Sequence, residues 1–338
     1  MQEEITEPTP ILNDEGHVIS PGWARDDYWI HEREKIGKGP FRRKDWDFWE
    51  IYNDHYSLVL NIFDIGYAGV GQLSLTNFDT GKTIFAMMLK LFTKGSVGNP
   101  KSWKYEQPLT FTKKGNKMEF KREGDNILLY VNFPKKGISG EFTLYKDPKM
   151  DSMVNLIPFE DPTQFVYAVK IMCMPATGTL KMKDEEIVFN KENRSWGVLD
   201  WTRAVFPYKN HWKWCTASGI VNGVNFGFNI DYGFGIESSK SMIIYDGKGH
   251  HLDVVTYQHD MNDLKAPLKI SSPDGRVNLT LKPKHVELAG LNLGIAKMKG
   301  HNTFGYFTGE MVLDDGTKIT INEEDKLFGW AEEFWQKW

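Results

Sequence analysis

A two-residue rhythm is the feature that most restricts how this chain can fold. Between residues 48 and 92 it reads FWEIYNDHYSLVLNIFDIGYAGVGQLSLTNFDTGKTIFAMMLKLF, a series of short alternating or β-branched segments cut by turn residues. Alternation sends successive side chains to opposite faces of a strand, so each segment can bury one face and wet the other. The reading gives strands at 48–52, 56–64 and 67–77 and a fourth running into Phe92, with turns at Asn53-Asp54 and Asp79–Gly81. LTFTKKGNKMEFKREGDNILLYVNF continues the pattern with Lys-Gly-Asn and Glu-Gly-Asp-Asn turns. A second series starts near Phe165 and carries the hairpin dipeptides Asn222-Gly223, Asp246-Gly247 and Asp315-Gly316.

Between the two series, the segment 147–164 holds three prolines and few alternating positions, which reads as a linker between β-domains at 1–150 and 165–338. Only the last segment, EEDKLFGWAEEFWQKW, shows helical spacing, through Leu327, Trp330, Ala331, Phe334, Trp335 and Trp338. The predicted class is therefore mostly β: two antiparallel barrel or sandwich domains with a C-terminal helix that plugs or buttresses a barrel.

Aromatic residues make up 14% of the chain and include 12 Trp, which favours sheet faces and a lined, hydrophobic pocket. The net charge of -4 is spread without a basic stripe, so nucleic acid is not an expected partner. The acidic start lacks the features of a secretory signal, and no apolar run reaches membrane-spanning length, so a soluble cytoplasmic protein without membrane insertion is expected. Cys173 and Cys215 read as buried free thiols.

No nucleophile elbow, phosphate loop, HExxH or CxxC is present, and GYAGVG at 66–71 lies in a strand pattern, where it marks a bend rather than a dinucleotide site. His250 and His251 would point to opposite faces of a strand, and His211, His259, His285 and His301 show no short ligand spacing. Neither metal nor cofactor is expected.

Acids among aromatics carry the chemical signal. A carboxyl group against aromatic walls loses hydration, its pKa rises, and it can give a proton near neutral pH to an alkene, an enol or a leaving oxygen. The candidates are Asp45, Asp47, Asp64, Asp200, Asp231 and Glu237. Plainer readings stand beside them: Asp45 solvated, Asp64 and Asp231 capping turns, Asp200 in a structural ion pair with Arg203. The densest stretch is GVLDWTRAVFPYKNHWKWCTASG, residues 197–219, which reads as a stiff strand-turn-strand corner holding Asp200 at a pocket. There Asp200 would be the proton donor, Arg203 and His211 would orient it, and Trp201, Trp212 and Trp214 would form the wall. Trp49, Asp64, Tyr67, Asp231 and Glu237 complete the proposed lining.

Across nearly the whole chain, GWARDDYWIHEREKI, KDWDFWEIYNDHYSLVLNIFDIGYAG, the 197–219 stretch, YDGKGHHL and the terminal LFGWAEEFWQKW resemble the DUF2804 family. That family is distantly similar to the carotenoid 1,2-hydratase and AttH-like proteins. The resemblance implies two lipocalin-like domains and places Gly197–Trp201 where those relatives carry an Asp-His-x-Trp-Gly segment. It implies for Asp200 the part of an aspartate that protonates an isoprenoid double bond. The chain departs from that segment by having Trp201, Thr202 and Arg203 after the aspartate.

The functional expectation is cofactor-independent acid catalysis of the hydratase, isomerase or cyclase type on a hydrophobic, isoprenoid-like small molecule. Two alternatives stand beside it: a carrier of a lipid-like ligand, and a carbohydrate-active enzyme using Asp200 and Glu237 as paired carboxylates.

Overall fold

The computed structural model describes residues 3–183, 185–233, 241–292 and 297–337. Two large sheets, antiparallel throughout, carry the fold. In the first, the strands Arg43–Tyr52, Tyr56–Asp64, Ala68–Asn77 and Lys82–Leu91 form the meander read from the sequence. Leu109–Lys113, Asn116–Glu123, Asn126–Phe133 and Ile138–Tyr145 form the other arm. Two long central strands, Phe165–Met182 and Trp196–Val205, join the arms. The sheet curls until its end strands touch, and Lys113 Nζ donates to the Leu89 carbonyl across the seam.

The second sheet runs Lys248–Leu252, Ser241–Tyr245, Val224–Tyr232, Lys209–Val221, Phe328–Lys337, Lys297–Val312, Val277–Asn292, Leu268–Ser271 and Thr256–Tyr257. The hairpins follow the turn chemistry. At Asn222-Gly223 and Asp246-Gly247 both residues have positive φ (52° and 80°; 47° and 80°), the combination whose twist matches paired strands.

Two expectations meet a different outcome. The segment 147–164 contains the strand Met153–Pro158, which pairs with Phe165–Met182 and Gly22–Ala24, so the passage from one sheet to the other falls at 206–208. The C-terminal helix is absent: a short 3-10 turn at Glu323–Asp325 takes up the leading acids, and Phe328–Lys337 is a strand. Its sequence satisfies both periods, and pairing on both sides, with Lys209–Val221 and Lys297–Val312, decides for the strand. Trp338 lies outside the described residues. The stretch 197–219 is strand-turn-strand as read, from Trp196–Val205 into Lys209–Val221, and its turn is the crossing from the first sheet to the second.

Where a strand has one wet face, burial alternates, as in Asn126–Phe133, where Ile127, Leu129, Val131 and Phe133 point inward. Trp196–Val205 is buried at every residue because one face lines the first barrel and the other meets the second sheet. One apolar core spans both, with Trp214, Phe304, Phe328 and Trp330 of the second sheet packed into the core of the first. A separate core fills the second barrel. Among the described residues no helix is long and apolar enough to cross a membrane, and both cysteines are free and buried.

Candidate active site between the sheets

Strand period sorts the acids. Asp45, Asp47 and Trp49 pair across from Arg203, Trp201 and Leu199, so all six face the interior of the first barrel. Phe48, Asp200 and Lys170 pair on the opposite face and look toward the second sheet. Trp212, Trp214, Asn229, Asp231 and Glu332 look back at them from Lys209–Val221, Val224–Tyr232 and Phe328–Lys337.

Between the sheets, Lys170 Nζ stands 2.9 Å from Asp200 Oδ2 and 4.0 Å above the centre of the Trp214 ring. Asp200 Oδ1 accepts a hydrogen bond from Thr202 Oγ1 at 2.8 Å. The indole of Trp214 donates to Asn229 Oδ1 at 2.5 Å, and Asn229 Nδ2 donates to Asp231 Oδ2 at 3.2 Å. Trp212 Nε1 donates to Glu332 Oε1 at 2.7 Å. Burial opposes the charge on Lys170, yet Asp200, Asp231 and Glu332 together push its pKa up.

Lys170 thus faces three carboxyl groups, and burial tells on Glu332. Desolvation, opposed by Trp212 and Lys170 and aided by the acidic neighbours Asp200 and Asp231, pushes its pKa up to about 8. Glu332, Trp212 and Phe48 are half-buried as residues, while the Glu332 carboxyl group itself is withdrawn from water. Nearby Glu50 accepts a hydrogen bond from Ser57 Oγ at 2.6 Å and is likewise raised by burial to about 8.

Arg203 belongs to neither this cluster nor an Asp200 pair. Three residues further along a strand, it emerges on the other face, wholly buried, with Nη2 at 3.0 Å from Asp47 Oδ2. Its remaining donors go to the carbonyls of Pro100, Trp46 and Thr202, and its guanidinium lies 3.9 Å over the Trp201 ring. Asp47 also accepts from Asn99 at 2.7 Å and Tyr105 at 2.9 Å, while Trp49 donates to Tyr105 at 3.2 Å. Trp49 and Trp201 are thus core residues of the first barrel.

Asp45 is buried, not solvated, and ion-paired with Arg33; burial raises its pKa. Asp64 accepts from the backbone of Gly66, Gly95 and Val97 and from Thr93 Oγ1, which locks a loop as the turn-cap reading proposes. Tyr67 packs with Lys44 over its ring, away from the cluster. His211 bonds Glu333 Oε1 at 2.9 Å and stacks on Trp335, on the face of its strand opposite Trp212 and Trp214. Glu237 lies outside the described residues.

From the sequence candidates, then, the fold assembles Asp200, Trp212, Trp214 and Asp231. The residues missed are Lys170 and Glu332. Lys170 sat unmarked in an apolar strand, the one place where a lone lysine signals a buried partner. Glu332 was hidden on the presumed polar face of a helix. Cavities of about 550 Å³, lined by Lys117, Glu119, Tyr130 and Glu141 among others, and about 420 Å³, lined by His211, Lys299 and Trp335 among others, open elsewhere.

Two curled antiparallel sheets meeting face to face over a polar cluster define the class: a double lipocalin-like β-protein. Kievitone hydratase from Nectria haematococca shares the fold at 11% identity, with a TM-score of 0.53 over 87% of this chain and 88% of that one. CghA does so at 10% identity and a TM-score of 0.52 over 87% and 88%. An AttH-type protein from Nitrosomonas europaea matches at 11% identity and 0.51 over 87% and 92%. At such identities the likeness is one of fold. No curated protein is similar in sequence. Residues 2–338 match the domain of unknown function DUF2804, and the chain belongs to that family.

Proposed function

We propose that this protein is a general acid–base catalyst of the hydratase, isomerase or cyclase type. Its substrate is a hydrophobic small molecule entering between the sheets, and the chemistry there needs no cofactor. The carrying observation is the cluster in which Lys170 faces Asp200, Asp231 and Glu332: burial, with Asp200 and Asp231 as acidic neighbours, outweighs Lys170 and Trp212 and raises the Glu332 pKa to about 8. Catalytic acids and bases recur where neighbouring carboxyl groups are driven to different protonation states.

Glu332, rather than Asp200, is the proton donor in this reading, because Asp200 is already ion-paired with Lys170. Glu332 delivers its proton to an alkene or enol carbon, the new C–H bond forming from the π electrons. The resulting cation is quenched by water, by loss of a neighbouring proton, or by attack of a second double bond, which gives hydration, isomerisation or cyclisation. Asp200 or the Glu332 carboxylate takes the proton released. The half-buried Trp212 supplies an aromatic wall beside the donor.

The name of kievitone hydratase, a protein of the same fold, is compatible with this reading. It is tested by mass spectrometry of small molecules co-purifying with the native chain and with its Glu332→Gln variant. A hydrophobic compound that accumulates chemically unchanged only in the variant supports catalysis. The same lipid in both points to a carrier, and a sugar to glycan chemistry; either result overturns the proposal.

A further inference from the structure

Beyond the acid cluster, and on the opposite face of the Lys209–Val221 strand, we infer that His259, His301 and Glu333 form a binding site for one divalent transition-metal ion, with zinc the best fit. Sequence spacing gave no hint, since 42 and 32 residues separate the three along the chain. Register brings them together. Glu333 lies directly across from His301 on one side and Lys213 on the other, and His259 follows the Thr256–Tyr257 strand to close over them.

All three are buried, and one ligand atom from each lies within 4.8 Å of the others. His259 Nδ1 stands 3.5 Å from Glu333 Oε2. Two ligands on a tetrahedral zinc, each bonded at roughly 2.0–2.1 Å, stand about 3.3 Å apart, so small side-chain rotations complete the set. The imidazoles meet edge to face, 4.4 Å between centroids and at 85°, and do not bond each other.

Among the described residues, neither nitrogen of His259, nor Nε2 of His301, makes a well-formed hydrogen bond, the 3.5 Å approach of Nδ1 to Glu333 being long for one. Three such atoms in one buried spot are costly unless something binds them.

Glu333 is already oriented: Oε1 meets His211 at 2.9 Å and Lys213 at 3.5 Å, which turns Oε2 toward His259. Two imidazoles and one carboxylate suit zinc better than calcium or magnesium, which prefer all-oxygen sets, and leave a fourth position for water. Lys213, whose Nζ donates to the Tyr257 carbonyl at 2.7 Å, is the competing cation and weakens the site.

The test uses the tag-free full chain, stripped with chelator and titrated with zinc chloride against a chromophoric competitor, with His259→Ala, His301→Ala and Lys213→Met beside it. About one equivalent should bind. Each histidine variant should lose at least ~10-fold in affinity, and Lys213→Met should gain, a result that misfolding cannot imitate. Cobalt(II) should give the visible spectrum of a four-coordinate site in the native chain and lose it in His301→Ala. Absence of zinc binding, equal binding by the histidine variants, or no gain from Lys213→Met would each overturn the assignment.

Discussion

Lys170 Nζ lies 2.9 Å from Asp200 Oδ2 and faces the Trp214 ring from 4.0 Å, so one ammonium ties the central strand of the first sheet to the second. Removing it leaves Asp200 without its ion-pair partner in a buried site. Lys170→Met is expected to destabilise by about 3–5 kcal/mol, the cost of breaking a buried pair from one side. Urea unfolding should show a lower midpoint with little change in slope.

Glu332 makes pH the direct probe of the site. Its ordinary value of 4.5 moves to about 8 on folding, so the folded state holds a proton that the unfolded chain releases. Stability from this group is fully present below about 4.5 and is lost as pH rises through about 8, and Glu50 behaves in the same direction. Glu332→Gln and Glu50→Gln should each flatten the fall in unfolding midpoint over that window.

The same acid sets the expected kinetics. With an identified substrate, activity should fall on the alkaline side near the value for Glu332, and Glu332→Gln should lower turnover by roughly 10²–10⁴-fold. Asp200→Asn removes a neighbour that raises the Glu332 pKa, so the alkaline limb should move to lower pH. An unmoved limb would separate the two residues.

Arg203 and His211, grouped with Asp200 by sequence proximity, should now behave differently from one another. Arg203→Met leaves the buried Asp47 uncompensated and is expected to cost about 3–5 kcal/mol. His211 is partly exposed, and His211→Ala should change stability by less than about 1 kcal/mol. Thermal or urea unfolding of the two variants measures the contrast.

Gly227 marks how closely the sheets approach. A Cβ there would sit 2.5 Å from Cys173 Sγ and 2.6 Å from the Ala217 carbonyl, both tightly held. Cys173 itself occupies a bulge with φ of 59°, and its amide donates to Ser218 Oγ of the second sheet at 3.0 Å. Gly227→Ala is expected to cost about 1–3 kcal/mol by overpacking. Burial also pushes the Cys173 thiol up to about 12, so a thiol reagent should label it only as fast as the chain opens, and faster in the glycine variant.

Period and turn residues by themselves determined the β-class, the first meander nearly strand for strand, the hairpins at Asn222-Gly223 and Asp246-Gly247, and the burial of both thiols. These are local properties: a two-residue alternation or an Asn-Gly turn acts within a few residues of itself. The same locality marked Asp200, Trp212, Trp214 and Asp231 as acids and aromatics worth watching. Only tertiary structure decided the rest. Whether Leu327–Trp335 became helix or strand depended on finding Lys209–Val221 and Lys297–Val312 on either side. That outcome alone turned Glu332 toward Lys170 on one face and Glu333 toward His301 on the other. The partner of Asp200 proved to be a lysine 30 residues upstream and not the arginine three residues downstream. On a strand a spacing of three reverses the face, and the choice of partner across a sheet is set by register, which sequence proximity does not carry.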